Sequence, residues 1–158
     1  MKKLFLLALS LWGVTVCVEA QQTKEKVAVY VSGDVSAGYK KIISAKAVSR
    51  ISRSESFAAV ERTDAFLDVL TKEQDYQLSG EVRDDQIAEL GRRFGARYVA
   101  VLEATETDGT GFISARMIDV EGGLIIKSAD TSRKIESAED WAAVANNVAF
   151  RLVSKNSK

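Results

Sequence analysis

The side chains able to act as acids or bases gather in three places: Asp84 and Asp85; Glu103, Glu106 and Asp108; and Glu136, Glu139 and Asp140. Two carboxylates facing each other across a cleft are the equipment of glycoside hydrolysis, one protonating the leaving group and the other acting as base or nucleophile. Two of the three clusters fall where helices should start, and carboxylates are favoured there by the helix dipole and the free N–H groups. Capping and solvation account for them without catalysis. A hydroxyl nucleophile needs a base, and the chain has no histidine. That removes Ser-His and Cys-His pairs, an imidazole base and imidazole metal ligands. A Ser-Lys pair is the remaining scheme, but Ser44-x-Lys46, Lys127-Ser128 and Thr71-Lys72 lack the SxxK spacing. We expect no catalytic residue, no metal site and no cofactor.

Two residues stand apart from that exclusion. Arg62 follows a predicted strand at its C-terminal end, where α/β sheets place ligand sites. Its guanidinium could clamp a carboxylate or phosphate; the commoner use is an ion pair tying down the next helix, with Asp119 as a partner. Arg62 is the one candidate ligand-binding residue, and it keeps a small-ligand binding domain as the alternative reading. Cys17 is the single cysteine, so a chain cleaved beyond it has no thiol, disulfide or thiolate zinc site. Lipidation of Cys17 would need a small residue just before it, and Val16 is bulky there. No phosphate-binding GxxxxGK[ST] or strand-linked GxGxxG occurs.

Cys17 lies in an export signal. Lys2 and Lys3 precede an apolar run from Leu4 to Val18, and Val18-Glu19-Ala20 suits a signal peptidase. The run is about fifteen residues, short of the roughly twenty that span a bilayer. We expect residues 1–20 to be a signal peptide, 21–26 a short leader, 27–154 one domain and 155–158 a polar tail. The chain carries 22 basic and 22 acidic residues, so no basic excess exists to neutralise a nucleic-acid backbone. The expected location is periplasmic, with membrane association only if Cys17 is lipidated.

The elements follow from the pattern of apolar residues. Val27 to Val31 reads as a strand buried on both faces. Ser36 can cap a helix in which Tyr39, Ile43, Ala47 and Ile51 recur every four residues, and the basic run Lys40, Lys41, Lys46, Arg50, Arg53 falls mostly off that stripe as a solvated face. Phe57 to Val60 is a second strand, parallel to the first across the helix. Thr63 or Asp64 caps a second helix carrying Phe66, Leu67, Val69 and Leu70. Asp84 caps a third with Ile87, Leu90 and Phe94, where Ala88 and Gly91 permit close packing, and Gly95 suits a left-handed end. Tyr98 to Leu102 is the most apolar strand and belongs at the sheet centre. Turn signals at 108–111 and 121–123 predict strands 97–105, 111–120 and 123–132 as an antiparallel meander. Ser137 and Asp140 form a capping box for a last helix with Trp141, Val144, Val148 and Leu152 on its buried stripe. The sum is a single α/β domain of two or three layers: a mixed sheet of about five strands with about four helices.

The succession Phe57-Ala58-Ala59-Val60-Glu61-Arg62, Leu70-Thr71-Lys72-Glu73-Gln74, Leu78-Ser79-Gly80 and Leu90-Gly91-Arg92-Arg93-Phe94-Gly95-Ala96-Arg97-Tyr98-Val99 resembles the CsgG family. That family includes curli-secretion pore proteins and related bacterial envelope proteins. Arg116-Met117-Ile118-Asp119-Val120 with Gly122-Gly123 is similar to its R-x-I-D-x-x-T-G strand and turn. The resemblance covers about residues 27 to 130. It implies a periplasmic or outer-membrane-associated α/β domain, similar also to the activator lipoproteins of penicillin-binding proteins. Such domains are not enzymes and work by binding an envelope protein or by self-association. The length leaves no insertions for membrane-spanning hairpins, each strand of which needs about ten residues, so a pore is not expected.

Overall fold

The computed structural model describes residues 23–60 and 84–154. Strand β1 (Glu25–Ser32) leads into helix α1 (Ala37–Ser52) and strand β2 (Phe57–Ala59). Helix α2 (Asp84–Arg93) precedes β3 (Tyr98–Thr107), β4 (Thr110–Asp119) and β5 (Leu124–Lys134), and helix α3 (Ala138–Val153) follows them. The expected helix at Thr63 or Asp64 to Leu70 lies outside the described residues, as do Arg62, Cys17 and the signal segment.

One mixed sheet of five strands runs in the order β2-β1-β3-β4-β5. β1 pairs in parallel with both β2 and β3, and β3, β4 and β5 form the antiparallel meander. The central place of β3 follows from its apolar residues on both faces, since only a strand covered twice loses no free energy by being apolar twice. β1 starts at Glu25 rather than Val27 because the Glu25 N–H donates to Ser56 O at 2.9 Å, extending the ladder with β2.

Alternation along the strands divides the core in two. Val27, Val29, Val31, Ala100, Leu102, Ala104, Ile113, Ala115 and Met117 point to one face, where α1 and α3 cover them. α1 contributes Ile43, Ala47 and Ile51, and α3 contributes Trp141, Val144, Ala145, Val148, Ala149 and Leu152, all buried. The other face is smaller: Ala28, Tyr30, Val99, Val101, Ile118 and Val120, with α2 against its β3–β4 part. The described elements thus make three layers, with two helices below the sheet and one above.

Local chemistry sets the helix ends. Ser36 Oγ accepts from the Tyr39 N–H at 3.3 Å at the start of α1. At the start of α3, Asp140 Oδ2 accepts from the Glu136 and Ser137 N–H groups and from Ser137 Oγ, each at 3.1 Å. Gly91 lets α2 approach the sheet: a Cβ there would lie 2.5 Å from Val120 Cγ2 and 2.7 Å from Val99 Cγ2. The absence of a side chain is what brings this helix down onto the second face.

Candidate functional site

Several of the residues singled out for chemistry have local structural partners, while Ser44 Oγ is buried without a hydrogen-bond partner. Asp140 is tied into the α3 cap and also meets Arg133 Nε at 2.9 Å. Its carboxyl is held below the ordinary range, first by the Glu136 N–H and then by Ser137 and Arg133. Glu136 pairs with Lys134 at 2.7 Å, and Glu103 with Arg116 at 4.0 Å. Asp108 sits in the β3–β4 turn with φ of 50°, and Asp84 and Asp85 open α2. Among the described residues, no three carboxylates or thiols converge closely enough to hold a metal ion. Asp119, offered above to Arg62, is engaged by Arg97 at 3.4 Å.

Arg97 organises the part of the surface that is unusual. It joins Asp119 and Glu121, so three residues from the start of β3 and the β4–β5 turn form one ion-paired clamp. Glu121, Tyr98 and Asp119 raise the Arg97 pKa further, so its guanidinium stays charged at any ordinary pH. Within the turn, the Glu121 N–H donates to Asp119 Oδ1 at 3.2 Å and the Gly123 N–H to Asp119 O at 2.8 Å. Gly123 adopts φ of 64°, a left-handed conformation that glycine takes without steric cost.

This braced turn delivers three consecutive apolar side chains to solvent: Leu124, Ile125 and Ile126, exposed by 67%, 51% and 45%. They open β5, an edge strand of the sheet. The register slips at Met117/Ile118, where Met117 faces Lys127 and Ile118 faces Ile125, so Ile126 is the extra residue of a β-bulge. A bulge re-aims side chains and twists the edge. Beyond it, β5 turns polar: Lys127 Nζ donates to Ser154 O at 2.7 Å, and Arg151 donates to Asp130 O. Charged residues along an edge hinder indiscriminate strand pairing; the apolar triad at its start is unguarded.

The arrangement offers a surface for binding. An edge of eleven residues spans roughly 35 Å and offers a ladder for an incoming strand. Burying three half-exposed aliphatic side chains would contribute roughly 3–5 kcal/mol before association entropy is subtracted. The sequence does hold a signal for this surface: Leu124-Ile125-Ile126 follows Gly122-Gly123 without alternation, and the rest of β5 is polar on both phases.

Neither a family model nor a curated protein matches the sequence. Solved structures do match. The PelC dodecamer from Paraburkholderia phytofirmans superposes with a TM-score of 0.56 at 14% identity, covering 85% of this chain and 91% of that one. The LpoB C-terminal domain from Salmonella enterica gives 0.54 at 14% identity, over 73% and 87%. TolB from Acinetobacter baumannii gives 0.51 at 14%, over 87% of this chain but 30% of its own length. The likeness is one of fold. LpoB meets, at that level, the similarity to activator domains that the motifs implied, whereas no family model stands behind the CsgG resemblance itself.

Proposed function

We propose that this chain is an exported, non-enzymatic module of the bacterial cell envelope, of the CsgG-like type, that acts by binding a protein partner or by assembling with copies of itself. The observation that carries the reading is the apolar triad Leu124-Ile125-Ile126, held out on the open β5 edge by the Arg97 clamp. Folding gives no reason to brace three consecutive apolar residues in water, and such patches mark interaction sites. Support comes from the fold it shares with PelC, described as a dodecamer, and with the LpoB domain. Residues 1–20 act as the signal peptide in this reading, which places the domain in the periplasm; outer-membrane association would require a lipid on Cys17. Arg62 remains the candidate for any small ligand, and an Arg62→Ala protein with unchanged ligand-induced thermal shifts would remove it.

The test is multi-angle light scattering of the purified domain together with affinity capture from an envelope fraction. The reading expects either an oligomer or a retained protein, lost on Ile125→Lys while the thermal transition stays in place. A monomer that retains nothing would overturn it. So would association unchanged by the substitution.

A further inference from the structure

Part of the basic run along α1 borders a groove. α1 and α3 run side by side, and their outer surface carries this groove as two adjacent hollows of about 410 and 340 Å³, both lined by Arg53. Lys46 and Arg50 of α1 and Arg53, the residue that caps its C-terminal end, line it together with Ala142 and Ala143 of α3 in the upper part and Phe150 in the lower. Arg50 lays its guanidinium over the Phe150 ring at 4.3 Å, and its Nε is buried without a hydrogen-bond acceptor. Among the described residues no carboxylate pairs with Lys46, Arg50 or Arg53. Phe150, 48% exposed, adds an apolar wall beside these cations.

We propose that this groove docks a short acidic segment of a protein partner, its carboxylates taken by Arg50 and Arg53 and an apolar side chain seated against Phe150. The inference rests on the protein-binding reading above and specifies the chemistry of one partner element. Charge complementarity selects the occupant, because guanidinium groups donate paired N–H bonds in the geometry that carboxylates accept. Glu139 lines the upper part, so a long polyanion such as a nucleic acid would meet a carboxylate there. Lys46 to Arg53 spans roughly 10 Å along the helix, about three extended residues. A hollow lined by Ser49, Ala142, Ala143 and Asn146 suits a chain better than a bilayer surface, which is bound by protruding apolar side chains.

The experiment is titration of the folded, isotope-labelled domain with the peptide Ac-Gly-Glu-Phe-Glu-Glu-Gly-NH2, following the Arg50 and Arg53 Nε–H and Phe150 ring resonances by NMR. The lysine counterpart of the peptide, inorganic phosphate and phosphatidylglycerol vesicles serve as comparisons. Saturable shifts at all three residues are expected with the acidic peptide. Affinity should fall at least fivefold in Arg53→Ala, an exposed position, and in Arg50→Lys, which keeps charge without the fork. Absent shifts, equal binding of the lysine peptide, or unchanged affinity in both variants would overturn the proposal. Equal saturation by phosphate would reduce the groove to a general anion site and overturn it too, and shifts with vesicles alone would assign the surface to lipid. Loss of the peptide effect with envelope capture intact would reject the groove and leave the module reading standing.

Discussion

β3 and β5 are ten and eleven residues long and lie in the same sheet one strand apart, yet they have opposite fates. In β3, Val99 to Leu102 and Ala104 are buried, because α1 and α3 cover one face and α2 the other. No residue of β5 is fully buried, although it opens with three aliphatic side chains. Intrinsic strand preference is similar at Val101 and Ile125; what differs is the number of layers that reach them. Apolar residues in β3 therefore report on stability, and those at the start of β5 report on contact with something else.

Substitutions can break that contrast or sharpen it. Leu102→Ala should have the largest effect, a loss of about 2–5 kcal/mol in urea unfolding, since it opens a cavity beneath both helices; a loss under 1 kcal/mol would mean the centre of the sheet is less tightly covered than described. Gly91→Val should follow at about 1–3 kcal/mol, because its side chain must displace Val120 and Val99 from the α2 contact. Asp140→Asn should lower the melting temperature by a few degrees near neutral pH. Because the folded carboxyl is held below its ordinary range, its contribution is present above the unfolded value and is lost as pH falls through the folded one. The gap between the two proteins should close in acid, and a gap constant from pH 6 to pH 2 would contradict the capping role. Ile125→Ala should change stability least, by about 0.5 kcal/mol or less, while weakening association. A larger stability loss would move β5 into the core and remove its role as a contact surface.

Much of the scaffold was legible. The four-residue recurrence in α1 and α3 led directly to Ile43, Ala47, Ile51, Trp141, Val144, Val148 and Leu152, because a helix against a sheet must bury one stripe. The Ser36 and Ser137 starts were readable for the same local reason, and Gly95 does take φ of 60°. The β5 surface was harder. Whether an apolar strand is interior or edge depends on what lies over it, which no local pattern encodes. The Arg97–Asp119 pair joins residues twenty-two positions apart that meet only when β3 and β4 are in register, so no local pattern pointed to Arg97. The basic run of α1 showed its solvated face but not the groove, which exists only because α3 packs beside it.

The place of β1 between β2 and β3 also bears on the order of assembly. β1 meets β3 from Val27 against Tyr98 onward, a closure of about seventy residues, whereas β3, β4 and β5 meet across turns of a few residues. Loop closure is entropically dearer for the longer connection by roughly 2 kcal/mol or more, and long-range pairing of this kind slows folding. We expect the meander to gain amide protection before β1 docks in pulse-labelled hydrogen exchange; simultaneous protection of β1 would refute the order. A chain folding this way would carry its apolar β5 triad in ordered form while its first strand is still searching for its place.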